Sequence, residues 1–201
     1  MEQKLSAEDG KYLVTEARKC LESRLSGKDY KIKDTRACLD MMRGIFVTLH
    51  TYPDHCLRGC IGFIEPVYTL RKGLKSAAIS AATGDPRFPE VTREELDQLI
   101  IEISILTHPE PILHATPKDL LSKITPKKDG LILTNGNDRG LFLPQVWEDL
   151  PDKIQFLENL CLKAGILEKD AWQYHDTEIS RFHVQIFKET KPKGKVIEEK
   201  E

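Results

Sequence analysis

The chain has 201 residues, of which 40% are apolar and 31% charged, a balance typical of a globular protein. Its 30 lysines and arginines against 32 aspartates and glutamates leave a formal charge of −2, so no net field favours nucleic acid or an anionic membrane. No apolar run approaches the roughly 20 residues that cross a membrane. Because Met1–Lys4 also lacks the basic start of a signal peptide, we expect a cytoplasmic protein that does not bind membranes.

The cysteines do not form the pattern of a disulfide framework or a zinc site. There are five of them, an odd number, and they are scattered along the chain. Cys56 and Cys60 lie four residues apart with His50 and His55 nearby, but no second pair of ligands follows, and structural zinc needs four. We therefore predict no metal and no cofactor.

The first elements are a helix and an antiparallel pair of strands. Ser6 opens a capping box ahead of apolar residues at helical spacing, and Gly27 ends that helix. The β-rich run Gly44–His50 then pairs, through a polar turn, with a strand that begins at Leu57.

The strand from residue 57 to 62 carries the main candidate site. Alternation places Leu57 on the core face and puts Arg58 and Cys60 together on the other face. Gly59 and Gly62 mark places where a ligand or another backbone comes close, and a neighbouring cation favours the reactive thiolate. The alternative is a tight strand corner with a buried thiol, since a free cysteine is commonly a small core residue.

A stiff loop follows the next predicted helix, residues 68–82. It contains Asp85, Arg87 and Phe88, and its prolines at 86 and 89 restrict the backbone between them. Such loops on rigid scaffolds often bind ligands. Alternatively, Phe88 fills the core and Arg87 caps the helix.

A capping box at Thr92 opens a short helix. The run Leu99–Leu106 then reads as a central strand, apolar on both faces. Glu102 and Ser104 share one face, and a buried carboxylate must be paired or have its pKa raised. Arg58 is the expected partner, and the pair is either a structural ion pair or part of an acid–base site.

The second half of the chain predicts further helices and strands and then a disordered end. We expect a helix over 116–124, a hairpin around an Asn/Gly/Asp-rich loop, a helix over 152–164 and a last strand over 178–187. Residues 189–201 are charged and poor in apolar side chains, so we predict a disordered tail.

The hexapeptide Leu57–Gly62 resembles the hallmark of the AMMECR family, named for the Alport-syndrome chromosomal region. Segments 44–49, 85–88, 102–106, 129–133, 140–147 and 156–165 also resemble family blocks, in the family's order. The resemblance implies an α+β fold of two unequal subdomains with antiparallel-rich sheets flanked by helices. It also implies a single domain over residues 1–188 whose subdomains are intertwined, with the hallmark strand near the cleft between them.

The resemblance does not imply a reaction, and two hypotheses stay open. In the first, the protein is an enzyme that acts on a small anionic or nucleotide-like substrate, with Cys60 as nucleophile, Arg58 lowering its pKa and Glu102 as acid or base. The residues expected to bind the substrate are Gly59, Gly62, Asp85, Arg87, Phe88 and Ser104.

In the second hypothesis the same cleft is a non-catalytic module that recognises a protein partner, since arginine and aromatic residues dominate interface hot spots. The prokaryotic family members are named AmmeMemoRadiSam system protein A, which implies Memo-like and radical-SAM proteins as partners. RNA binding is the weakest alternative, because there is no basic excess.

Overall fold

The computed structural model describes residues 4–199 and has an α+β fold. Within that range, none of the helices is long and apolar enough to cross a membrane. The helices are α1 (Ala7–Leu25), α2 (Leu70–Thr83), α3 (Arg93–Leu96), α4 (Pro117–Lys123) and α5 (Lys153–Lys163). The strands are β1 (Gly44–Thr51), β2 (Leu57–Phe63), β3 (Leu99–Leu106), β4 (Glu110–Pro111), β5 (Gly130–Asn135), β6 (Asp138–Phe142), β7 (Thr177–Phe182), β8 (Val184–Glu189) and β9 (Val196–Glu199). Short 3-10 turns lie at residues 37–40, 144–148 and 171–173.

The chain divides into two compact units of unequal size. The first contains the described residues up to 106 and returns from residue 185 onward, and the second contains residues 107–184. The first unit is therefore built from both ends of the chain.

The first unit is a five-stranded sheet in the order β2-β1-β3-β8-β9, packed against helices α1 and α2. Ile45, Val47 and Leu49 alternate along β1 and are fully buried, because this face of the sheet meets the alanine-rich side of α2. A Cβ at Gly59 would lie 2.1 Å from the carbonyl oxygen of Ala81, so only glycine lets α2 approach β2 this closely.

The second unit is a four-stranded antiparallel sheet in the order β4-β7-β5-β6, covered by α5. Its core is centred on Trp147, whose ring stacks on Phe156 with centroids 3.7 Å apart. The Trp147 indole N–H donates to the carbonyl of Asp129, which satisfies the one polar atom of that buried side chain.

Most of the predicted elements are present. The side chain of Ser6 caps α1, Thr92 and Glu95 form the predicted capping box, and Asp152 caps α5. The predicted final strand over 178–187 is wrong as one element, because the chain breaks at His183 and continues in the other sheet. A pattern of period two is the same in one long strand and in two short ones, so sequence alone cannot show the break.

The predicted disordered tail is also wrong over most of its length. Val196–Glu199 forms β9 and pairs antiparallel with β8. The buried carboxylate of Glu189 binds Arg18 of α1, with Arg18 Nε to Glu189 Oε1 at 2.8 Å, and also accepts from the backbone N–H of Ile101 at 3.0 Å. The chain is therefore fixed to the fold by hydrogen bonds and an ion pair, which a composition rule based on apolar content does not detect. Residues 200 and 201 lie outside the described range.

Candidate functional site

Three polar side chains form a row across the neighbouring strands β2, β1 and β3 of the first unit. Thr48 lies opposite Cys60 of β2 on one side and opposite Glu102 of β3 on the other. Because paired residues in antiparallel strands project to the same face, these three share the face opposite the core. The predicted position of Cys60 on the non-core face of β2 thus agrees with the observed register, which also brings Glu102 to that face.

The sulfur of Cys60 is partly buried and accepts a hydrogen bond from the Thr48 hydroxyl at 3.3 Å. Burial raises the pKa of the Cys60 thiol, although the Thr48 hydrogen bond and the charge of Arg87 act in the opposite direction. The negative charges of Glu102 and Asp85 raise it further. The predicted lowering of this pKa was therefore wrong, and the thiol is protonated at neutral pH.

Arg58 does not pair with Glu102, which corrects the predicted ion pair. Its Nε and Nη2 donate to the two carboxylate oxygens of Glu95 in α3, at 2.5 and 3.0 Å. The reason is a β-bulge: Leu49 pairs with Gly59 and His50 with Leu57, so no residue of β1 lies opposite Arg58.

The bulge also interrupts the alternation of β2. Leu57 is 40% exposed, rather than part of the core as predicted. Because a bulge inserts one extra residue, the predicted faces hold only after it.

Asp85 joins the loop after α2 to the strand that carries Cys60. Its carboxylate, 2% exposed, accepts from the backbone N–H of Cys60 at 2.8 Å and from the Arg87 side chain at 2.7 and 2.9 Å. These hydrogen bonds, led by those of the guanidinium, hold the pKa of Asp85 well below its usual range. These contacts bring the loop after α2 and the strand that carries Cys60 together, while their role as one binding site stays a prediction.

Arg87 and Phe88 form the outer part of this surface. The Arg87 side chain is 53% exposed, and its Nη2 also reaches the carbonyl oxygen of Cys60 at 3.3 Å. The Phe88 ring is partly buried and lies near two guanidiniums, 5.5 Å from that of Arg87 and 5.8 Å from that of Arg58. Arg87 thus does not cap α2, and its cation is held beside Cys60.

The two glycines and the serine predicted to bind substrate are enclosed by the protein itself. Gly59 faces α2, and a Cβ at Gly62 would lie 2.3 Å from the carbonyl oxygen of Ile45. Ser104 is 3% exposed and lies opposite Phe46 in the sheet. The close approaches that glycine permits here are made by neighbouring protein groups.

Sequence reasoning assigned no role to Thr48, His50 or Glu95. Thr48 and His50 alternate with the core residues of β1, so the period-two pattern that placed Cys60 could also have placed them on the same face. Glu95 was recognised only as part of a capping box, where its carboxylate also accepts from Thr92 N–H at 3.4 Å. No local pattern shows that this carboxylate binds Arg58.

The site brings together the thiol of Cys60, the hydroxyl of Thr48, the carboxylates of Asp85 and Glu102 and the exposed guanidinium of Arg87. Among residues 4–199, no three histidine, cysteine or acidic side chains are arranged to hold a metal ion. What the arrangement can do is bind an anion at Arg87 and place it next to a thiol.

Comparisons with known proteins show that the chain is similar to several archaeal proteins and to one protein family. The profile of the AMMECR1 family matches residues 14–187. Protein MJ0810 of Methanocaldococcus jannaschii is 49% identical over 197 residues, covering 98% of each chain. Protein MK0488 of Methanopyrus kandleri is 46% identical and covers 98% of this chain and 97% of its own. The crystal structure of the uncharacterized protein PH0010 from Pyrococcus horikoshii superposes with a TM-score of 0.88 at 41% identity, covering 98% of this chain and 99% of that one.

Proposed function

This chain belongs to the AMMECR1 family, and on that premise we propose that it binds a small anionic, nucleotide-like ligand at the surface formed by Cys60, Asp85, Arg87 and Phe88. In this proposal Cys60 is the group available for covalent chemistry on the bound ligand. We call these four residues the Cys60 surface.

The observation that carries the proposal is the position of the Arg87 guanidinium. A buried carboxylate, Asp85, engages its Nε and Nη2, so the cation is oriented although it is half-exposed. Nη1 is not engaged by Asp85. A guanidinium held in this way can donate to carboxylate or phosphate oxygens with little loss of side-chain entropy.

Phe88 supports a ligand with a flat ring. Its own ring is partly buried next to Arg87 and Arg58, and both an aromatic face and a guanidinium plane stack on nucleobases. A nucleotide-like compound would combine an anionic group for Arg87 with a ring for this platform.

A second candidate function is that of a non-catalytic adaptor module that recognises a protein partner. The raised pKa of the Cys60 thiol favours it, because a protonated thiol is a poor nucleophile. Here Arg87 and Phe88 would contact a protein, with Memo-like and radical-SAM proteins as the partners implied by the family. Capture of such a partner that is lost in Arg87→Gln and kept in Cys60→Ser would favour this function over the first.

The test of the first proposal compares two alkylating reagents that differ in charge. Iodoacetate is an anion and iodoacetamide is neutral, and both react with the same thiolate, so the ratio of their rates does not depend on how much thiolate is present. In a Cys56→Ser background Cys60 is the remaining cysteine that is not buried. We expect an iodoacetate-to-iodoacetamide ratio several-fold higher at Cys60 than at Cys56 measured in a Cys60→Ser background.

Arg87→Gln should lower this ratio at Cys60 about threefold or more, and Arg87→Lys should restore part of it, because a cation near the thiol attracts the anionic reagent. Arg24→Gln changes an exposed arginine at the end of α1 and is the matched control. Equal ratios at Cys60 and Cys56, unaffected by Arg87→Gln, would contradict an anion-binding role.

A further inference from the structure

His50 is a histidine whose ring nitrogens are unpaired although they are buried. Neither Nδ1 nor Nε2 has a hydrogen-bond partner among the described residues. The carboxylate of Glu102 lies close by, with its Oε2 3.6 Å from Nε2. Buried polar atoms are nearly always hydrogen-bonded, so an exception calls for an explanation, of which a catalytic role is one.

The register places His50 next to the Cys60 row. It is two residues from Thr48 along β1, so both side chains project to the same face, and Thr48 lies directly opposite Cys60. His50 is thus a diagonal neighbour of Cys60, and diagonal neighbours are separated by roughly 7–8 Å between Cα atoms, within reach of long side chains. The Thr48 hydroxyl donates a hydrogen bond to the Cys60 sulfur.

Resting on the function proposed above, we propose that His50 accepts the proton of the Cys60 thiol when that thiol reacts, and that Glu102 stabilises the resulting imidazolium. Nε2 is on the Glu102 side, so Nε2–H points to the carboxylate and the lone pair of Nδ1 receives the proton. This assigns the acid–base role predicted for Glu102 to His50 and makes Glu102 the group that positions and stabilises it.

The step conserves charge and atoms. The proton leaves Sγ of Cys60 for Nδ1 of His50, giving a thiolate and an imidazolium, while Glu102 stays ionised. The sulfur electron pair then forms a bond to the electrophilic carbon, and the leaving group departs with its own electron pair. The imidazolium afterwards returns its proton to solvent or to the leaving group.

Two features of the site fit a proton acceptor of this kind. An imidazole is the side chain that most often serves as a general base near neutral pH. The thiol is protonated at rest, and the negative charge of Glu102 contributes to that state. Once the imidazolium has formed next to Glu102, this charge is compensated and opposes the thiolate less.

The experiment is the pH dependence of Cys60 alkylation by neutral iodoacetamide between pH 5 and 9.5, in the Cys56→Ser background. We expect two rises in rate, a lower one in the histidine range and an upper one from direct ionisation of the thiol. His50→Gln should remove the lower rise and reduce the rate at pH 7 roughly tenfold or more, as loss of a general base does. A lower rate in D2O on the plateau should accompany the wild-type profile and vanish in His50→Gln.

Glu102→Gln gives an independent arm, which also serves if His50→Gln does not fold. It removes the carboxylate proposed to stabilise the imidazolium, so the lower rise should change, and the upper rise should move towards acid because the charge of Glu102 raises the pKa of the thiol. His55→Asn is the matched control, because His55 is exposed in the neighbouring turn at a φ of 55° that asparagine tolerates. Its profile should match that of the parent.

A single rise above pH 8 in the parent protein, unchanged in His50→Gln, would overturn the inference, whatever Glu102→Gln does to the position of that rise. The iodoacetate-to-iodoacetamide rate ratio at Cys60 distinguishes this failure from failure of the proposed function. If the ratio is high and depends on Arg87 but the lower rise in the pH profile is absent, only the role of His50 is refuted. If the ratio at Cys60 is not raised at all, the ligand-binding proposal is refuted.

Discussion

Replacing Asp85 with asparagine tests whether this buried carboxylate organises the Cys60 surface. Each of its oxygens accepts two hydrogen bonds. Oδ1 accepts from the Arg87 backbone N–H and Nε, and Oδ2 from the Cys60 backbone N–H and Arg87 Nη2. Because the asparagine NH2 group cannot accept, either orientation of the new side chain leaves one backbone donor and one guanidinium donor without an acceptor.

The expected loss follows from those two bonds. A lost backbone hydrogen bond costs about 1 kcal/mol and a charge-assisted one about 1.5–3 kcal/mol, with the lower figure applying because Arg87 is half-exposed. We therefore expect Asp85→Asn to lower the free energy of unfolding by about 2–3 kcal/mol at pH 7. Urea unfolding followed by circular dichroism measures it, and the slope with denaturant should not change.

The same substitution should change the pH dependence of stability. The pKa of Asp85 is lower in the folded state than in the unfolded chain, so its contribution is fully present above the unfolded value of about 3.9 and is lost as pH falls towards the folded value. The gap between parent and Asp85→Asn should thus be constant from pH 7 to about 5 and shrink below about 4.

Asp29→Asn provides the comparison, because Asp29 is 67% exposed and pairs with Lys75 at the surface. It should leave the urea midpoint unchanged within error. A loss for Asp85→Asn below about 0.5 kcal/mol would refute the argument, because the hydrogen bonds of the carboxylate would then contribute almost nothing to stability. A difference in unfolding free energy between the two proteins that is the same at pH 7 and pH 3 would also refute it, because the folded state would then not favour the ionised carboxylate.

Two further substitutions test the packing that positions the site. Glu189→Gln should lower the free energy of unfolding by about 3 kcal/mol, because it leaves the buried Arg18 charge uncompensated; the double replacement Arg18→Met with Glu189→Leu should cost less than the single change, and additive losses would argue against a buried ion pair. Gly59→Ala should lower the free energy of unfolding by about 1–3 kcal/mol, because its Cβ would lie 2.1 Å from the Ala81 oxygen and would force α2 away from β2. Thermal unfolding measures the loss. Gly84→Ala is the comparison, since its Cβ would lie 3.3 Å from the Ser80 oxygen, and an equal loss in the two variants would contradict the close contact at Gly59.

Local sequence patterns were enough to predict most of the elements, including the two segments that contribute the residues of the Cys60 surface. Capping boxes, the spacing of apolar residues and the glycines and prolines that end elements depend only on residues adjacent in sequence. They therefore located α1, β1, the strand from residue 99 and the loop at Asp85 to within a few residues. The side of the sheet that carries Cys60 followed from alternation, because β1, which pairs with β2, has one apolar face.

The charge pairing at the site and the pairing of the last strand could not be predicted without the folded structure. Arg58 lies at a one-residue bulge and pairs with Glu95, 37 positions away in the sequence. No pattern of neighbouring residues indicates this pair. The raised pKa of Cys60 reflects its burial and the carboxylates brought near it by folding, whereas residue order alone placed a cation beside it. Pairing, burial and charge compensation depend on groups distant in sequence, and for that reason they become defined only when the chain is folded.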